Sequence, residues 1–328
     1  MEEKFNHIDG HDCLDDALYT IFNERNLNYY YIFLESWRFC YKNDEKLIGN
    51  RIKPSRGDRF EILKNLYNVK SRVVDFKNQY DIYPLLSEAF SEYKIQNNKE
   101  KAYEELISNL QENKAIVLEF DSFYCPWDKL YNRIHGTHMC VIKSIKEENI
   151  EIFDRWYSEK RIITKEFLYE FMYKFIILDF SQYREQQLNI KQILSILIPE
   201  KNIFQRNLIN FIKDMENMES DKEFENCTAS NYTNHYLFRN IREISYNRKQ
   251  IAILFKEAIK NEKNINKKYI EEFDELSKEW DILKNLIAMF YFTKSESDLE
   301  ECIIKLKMIY KKEIGLIKEL MEVKEKYE

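Results

Sequence analysis

Glycine and proline are scarce in this chain, 5 and 4 among 328 residues. So few helix breakers favour long helices. No apolar run approaches the roughly 20 residues needed to span a bilayer. The opening MEEKFNHIDGHDC has no basic segment leading into an apolar stretch, so no signal peptide is read and a cytoplasmic location is expected. The six Cys, at positions 13, 40, 125, 140, 227 and 302, form no C-x-x-C pair and show no regular spacing. Free thiols, buried or reactive, are expected of them in a reducing compartment. There is no basic surplus either. Lys and Arg number 51 against 57 Asp and Glu, a net charge of −6, which argues against a general nucleic-acid binder.

What is present fits a soluble globular chain, 44% hydrophobic and 33% charged. The pattern changes near residue 185, which divides the chain into an expected α+β domain over 1–184 and an all-α helical bundle over 185–328. In the first part Leu14, Ala17, Leu18, Ile21 and Phe22 fall on one helical face, with Asp12 placed as N-cap and Asp15 in the first turn. Short Val-, Ile- and Phe-rich runs predict strands at 70–76, 115–120, 138–145, 150–156 and 175–180. The polar Lys146-Glu147-Glu148-Asn149 between two of them predicts a hairpin, and 99–113 predicts a helix. The second part carries four amphipathic stripes, starting at Phe204, Leu237, Tyr269 and Leu299, that read as bundle core. Arg242, Arg248, Lys249, Lys256 and Lys260 could form a basic surface on one of those helices, although a solvated charged face explains them as well.

Five His occur, four of them in two clusters: His7 and His11 just before Cys13, then His135 and His138. A Cys in the first turn of a capped helix is expected to ionise more easily than usual, because the helix N-terminus favours the thiolate. His138 opens one strand of the expected hairpin and Asp154 ends the other, so the fold-back brings them close. A His oriented by a carboxylate is what a thiol nucleophile needs, because the carboxylate fixes the ring tautomer. Cys13 as nucleophile, His138 as base and Asp154 as its orienter are therefore the candidate catalytic residues. Competing with this reading are a structural role for Cys13, a buried His138 with one satisfied hydrogen bond, and Asp154 as a strand-end turn residue.

The order of a Cys at a helix start, a His, then an Asp on the returning strand resembles papain-like cysteine enzymes. More narrowly, GHDCLDDAL and the segment LEFDSFYCPWDKLYNRIHGTHMCVIKSIKEENIEIFDRWY resemble the N-terminal domain of the butirosin biosynthesis protein H family. The matching positions are Asp121, Phe123, Tyr124, Pro126, His138 and Asp154, within a resemblance covering about residues 5–180. It implies a papain-like catalytic domain and acyl transfer. The acyl group would leave a phosphopantetheine thioester on an acyl or peptidyl carrier protein and pass through Cys13 to a small amine or diamine. No cofactor, metal, nucleic acid or membrane is implied.

Papain-like enzymes usually carry a Gln before the Cys to bind the oxyanion, and none precedes Cys13. Asn6 or His7, with the Cys13 N–H, is expected to substitute. Phe123, Tyr124, Trp127 and Trp156 could line the acyl and amine pocket and exclude water, and core packing is the alternative for each. Three other readings remain open: a cysteine peptidase or amidase with the same triad; a metal module using His7, His11, Cys13, His135 and His138; and a non-catalytic interaction protein. The H-x3-H-x-C spacing matches no usual structural zinc pattern.

Overall fold

The computed structural model describes residues 7–53, 58–75, 92–96, 98–225, 227–229, 232–261 and 266–327. Asn6 and Phe76 lie outside the described residues, as does the side chain of Lys260. The protein is mixed α/β and separates into two compact units, Met1–Ile32 with Gly57–Gln186, and Phe33–Arg56 with Gln187–Glu328.

The first unit is built on helices α1 (Cys13–Glu24), α2 (Asp58–Tyr67), α3 (Lys99–Gln111) and α4 (Lys165–Phe171). Its strands are β1 (Lys70–Asp75), β2 (Glu92–Ile95), β3 (Ala115–Asp121), β4 (Thr137–Lys146), β5 (Asn149–Asp154), β6 (Glu159–Thr164) and β7 (Met172–Asp179). They form one seven-stranded sheet in the order β2-β1-β7-β3-β4-β5-β6, antiparallel apart from the β1–β2 pair. Strand β3 is buried along its whole length, as expected of a central strand. The β4–β5 hairpin closes on the Lys146–Asn149 pair. Glu147 takes the left-handed conformation there, φ 56°, which the twist of a two-residue hairpin turn demands. The outer strands β2 and β6 have no counterpart in the sequence reading. Glu159–Thr164 is mostly solvent-facing, so it carries little apolar signal.

Helix α1 begins where the sequence places it. Gly10, at φ 92°, turns the chain in a conformation that other residues rarely adopt. Asp12 then caps the helix. Its Oδ1 accepts from Asp15 N at 2.8 Å, while Asp15 Oδ2 accepts from Asp12 N at 3.3 Å, a reciprocal capping box. Leu14, Ala17, Leu18, Ile21 and Phe22 are all buried, and the helix packs along β4.

The second unit contains α5 (Ile190–Leu197), α6 (Lys201–Glu216), α7 (Tyr236–Asn261), α8 (Lys268–Thr293) and α9 (Glu296–Glu325). Residues 33–56, which the sequence reading put in the catalytic domain, belong with these helices. Polar side chains on the helices, and Glu223 between α6 and α7, satisfy the backbone of that segment. Glu223 accepts from Ile48 N and Gly49 N at 2.7 and 2.9 Å. Asn240 donates to Gly49 O and Ile52 O, and Asn207 to Phe39 O. A Cβ on Gly49 would stand 2.4 Å from Leu237 N, so only glycine allows this approach. Glu313, fully buried, accepts from Arg248 Nε at 2.8 Å, Trp37 Nε1 at 2.6 Å and Trp280 Nε1 at 2.9 Å. Arg248 therefore cannot belong to a basic surface: it is the ion-pair partner of the core. Among the described residues no helix is long and apolar enough to cross a membrane.

Candidate active site

Cys13 is the first residue of α1, and its Sγ lies 3.9 Å from the carbonyl oxygen of Thr137, the first residue of β4. The next residue is His138. The hairpin register sets Cys140 opposite Asp154, and side chains alternate along a strand, so His138, Cys140 and Asp154 share one face of the sheet. His138 Nε2 donates to Asp154 Oδ2 at 2.6 Å. Trp127 Nε1 donates to the same oxygen at 2.8 Å, and Tyr157 N reaches Oδ1 at 3.4 Å. Asp154 is fully buried, so these donors replace the water a carboxylate would otherwise need. With Nε2 donating, the working lone pair of a neutral His138 is on Nδ1. That nitrogen faces Asp128 Oδ2 at 3.5 Å.

The structure thus joins His138 to Asp154 and sets Cys13 against the residue before His138. Among the described residues Cys13 makes no hydrogen bond to His138. The expectation of an easily ionised thiol is also corrected. Burial pushes the Cys13 thiol well up, and the carboxylates of Glu119, Asp16, Asp15 and Asp154 push it further. Cys13 as a residue is only partly exposed. A helix N-terminus is worth only about 0.3–1 kcal/mol at one nearby charge. Here the same turn carries Asp15 and Asp16, whose carboxylates offset it. Cys13 rests as a neutral thiol.

The other expected residues have defined partners. His7 Nδ1 bonds Asp16 Oδ2 at 2.6 Å, and its ring lies 4.1 Å from that of Trp156. His11 Nδ1 bonds the other Asp16 oxygen at 3.2 Å, and burial holds the His11 ring low against the pull of Asp16. Asp15 pairs with Arg59 at 2.9 Å, both buried. Phe123 stacks on His135 at 4.3 Å, and Tyr124, partly exposed, stacks on Phe171 at 4.6 Å. Trp127 is half-buried, and its indole N–H serves Asp154.

No protein-family model matches this chain, and no curated protein matches it. The butirosin-type resemblance therefore rests on the residues quoted for it.

The five residues of the metal-module reading do not converge: His7 and His11 turn to Asp16, and His135 to Asp121. Sequence reasoning missed a tighter group. The donor atoms of His138, Cys140 and Asp154 lie within 4.8 Å of one another. The chemistry there fits hydrogen bonding better than a cation. Burial and Asp154 hold the Cys140 thiol well above its ordinary value, and Nε2 is already engaged. A period-two reading of β4 could have found Cys140 beside His138. Asp128 lies in an irregular connection with no such signal.

Proposed function

We propose that the chain is a cysteine acyltransferase with a papain-like catalytic domain, taking an acyl group from a thioester onto Cys13 and passing it to an amine. The observation that carries this reading is the 2.6 Å His138–Asp154 bond one residue from the Thr137 carbonyl that receives the Cys13 thiol. A buried carboxylate holds the imidazole by Nε2, which leaves Nδ1, 3.5 Å from Asp128 Oδ2, as the nitrogen for the thiol at the start of α1. Catalytic hydrogen bonds commonly close only in the substrate complex, so the Sγ–Nδ1 approach belongs to that complex.

A thiol that is neutral at rest loses its proton as it attacks. His138 Nδ1 takes that proton, Sγ bonds the thioester carbonyl carbon, and the departing thiol carries the proton away. Asp154 stabilises the imidazolium formed in passing. The Cys13 N–H, in the first turn and free of an intrahelical partner, is placed to bind the oxyanion. Exchange of one thioester for another is nearly balanced, whereas attack by an amine gives an amide and runs downhill. A phosphopantetheine-loaded carrier protein is the proposed donor, a small amine or diamine the acceptor, and the cytoplasm the setting.

The test is intact mass spectrometry after incubation with a carrier-bound and a small-molecule acyl thioester, followed by an amine. Wild type should gain one acyl mass, localised to Cys13, and release it as amide on addition of amine. Cys13→Ala should gain nothing, while single Ala substitutions of Cys40, Cys125, Cys140, Cys227 and Cys302 keep loading. Free acid as the dominant product at every amine concentration would move the assignment to a hydrolase. Loading of Cys13→Ala would end it.

A further inference from the structure

Apart from the His7 and His11 bonds to Asp16, the first unit holds another imidazole–carboxylate pair that the acylation step does not use. Asp121, at the end of β3, is buried, and four donors converge on it: Tyr173 Oη at 2.5 Å, His135 Nδ1 at 2.7 Å, Phe123 N at 3.0 Å and Gly136 N at 3.2 Å. Burial pushes its carboxyl up, but these bonds outweigh burial and hold it below the ordinary carboxylate value. So many donors on one carboxylate make it a fixed anchor. What it anchors faces outward, because the His135 side chain is 63% exposed. With Nδ1–H given to Asp121, the lone pair of neutral His135 is on Nε2, the ring nitrogen directed away from the anchor.

The position is rigid. Ser122 N bonds Gly136 O at 2.7 Å and Asn132 N bonds Phe123 O at 3.0 Å, so the two limbs of the connection are tied together. Phe123 stacks flat on the His135 ring, at 4.3 Å and 17°. The position is also close to the nucleophile. Two residues further on is Thr137, whose carbonyl receives the Cys13 thiol. Two residues of extended chain span only about 7 Å. Asp121 and Thr137 are register partners across β3 and β4, which sets the anchor at the same end of the sheet as Cys13.

We propose that His135, held by Asp121 and Tyr173, is the base that receives the proton of the incoming amine, with the Phe123 and Tyr124 rings attracting that amine in its cationic form. This rests on the acyl-transfer reading and adds a second base to it. A primary amine reaches the site as an ammonium ion, which aromatic faces attract. It must shed one proton, to the His138 Nδ1 that acylation left neutral, before its nitrogen can attack, and a second as the C–N bond forms. Nε2 of His135 takes the second, the C–S bond breaks, and Sγ leaves with the proton held on His138. The products are amide, neutral Cys13 and a protonated His135 that discharges to solvent. Two imidazoles with opposite nitrogens anchored thus divide the reaction: His138, tied through Nε2, serves the thiol, and His135, tied through Nδ1, serves the amine.

The experiment separates the half-reactions in the intact protein. Cys13 is loaded with a small-molecule acyl thioester, excess donor is removed, and the acyl-enzyme is chased with a primary amine under mass spectrometry. His135→Ala and His135→Gln should load at the wild-type rate but transfer at least about 100-fold more slowly, the range of general-base catalysis. Added imidazole should restore the chase in His135→Ala, since the side chain it replaces is exposed. His135→Ala and His135→Gln loading and chasing at wild-type rates overturn the second base and leave the acyl-transfer reading standing. A wild type that never loads Cys13 overturns both. A slow chase that imidazole fails to restore also overturns the base assignment.

Discussion

Replacing Asp154 by Asn, alone and together with Trp127→Phe, tests how the His138 ring is held. In the wild type one carboxylate oxygen accepts both His138 Nε2–H and Trp127 Nε1–H, at 2.6 and 2.8 Å. An Asn has one oxygen and one NH2, and the indole can only donate. Trp127 therefore forces the Asn oxygen into the shared position, where it still accepts from Nε2 and preserves the tautomer. The NH2 then faces Tyr157 N in place of a long 3.4 Å contact. What is lost is charge assistance, about 1–1.5 kcal/mol from the difference between ionic and neutral hydrogen bonds. That corresponds to about tenfold in the rate of Cys13 acylation. With Phe at 127 the lock is gone. The amide can turn its NH2 toward Nε2, driving the ring proton to Nδ1, where Asp128 Oδ2 at 3.5 Å accepts it. The base nitrogen is then capped, and acylation should fall by about 10⁴-fold, the cost of a wrong tautomer. Trp127→Phe alone keeps the carboxylate and should cost only a few-fold. Single-turnover loading gives the rates, and 15N NMR of His138 reports directly which nitrogen holds the proton. The reasoning is refuted if the double variant equals the product of the singles and Nε2 keeps its proton.

Two further outcomes rest on buried ionisable groups. Burial raises the thiols of Cys13, Cys125 and Cys140, so above the ordinary value of 9.0 the unfolded chain ionises first. Stability should be level below that pH and fall above it, more gently in Cys13→Ala; urea titrations at about pH 7 and about pH 10 would show this, and an equal slope would contradict it. Glu313→Ala leaves Arg248 charged and buried in the second unit, and should cost about 3–5 kcal/mol in the same titration, whereas the joint Glu313→Leu and Arg248→Met change should cost less. Equal losses would show that the pair itself, and not the stranded charge, sets the penalty.

The elements legible in the sequence are those whose signals are local. Helix α1 has its cap, its acidic first turn and its apolar stripe within ten residues of Asp12. The β4–β5 hairpin shows through its alternation and polar turn, and the His138–Asp154 approach follows from that hairpin. The four stripes of the second part become α6, α7, α8 and α9. What escaped reading depends on partners distant in sequence. Residues 33–56 look like any loop-rich stretch until Glu223, Asn240 and Glu313 come to meet them. Arg248 reads as surface charge until Glu313 lies opposite. The thiol was misjudged for a similar reason. The helix start is visible in the sequence, but the burial that outweighs it is not, nor is the added push of the Glu119 carboxylate from about a hundred positions away.

The chain passes between the two units three times, leaving the first after Ile32, returning at Gly57 and leaving again after Gln186. This thread limits what can be dissected and when the protein can mature on the ribosome. A fragment ending near residue 184 would carry 33–56 without the helices that satisfy it, exposing Trp37 and Phe39 to aggregation. During synthesis Trp37 emerges early but its acceptor Glu313 lies 276 residues later, so the second unit cannot close until nearly the whole chain is made. Nascent chains stalled before that point should therefore be protease-sensitive at 33–56, and exchange of the first unit between related proteins would have to carry a two-part segment in place of one continuous piece.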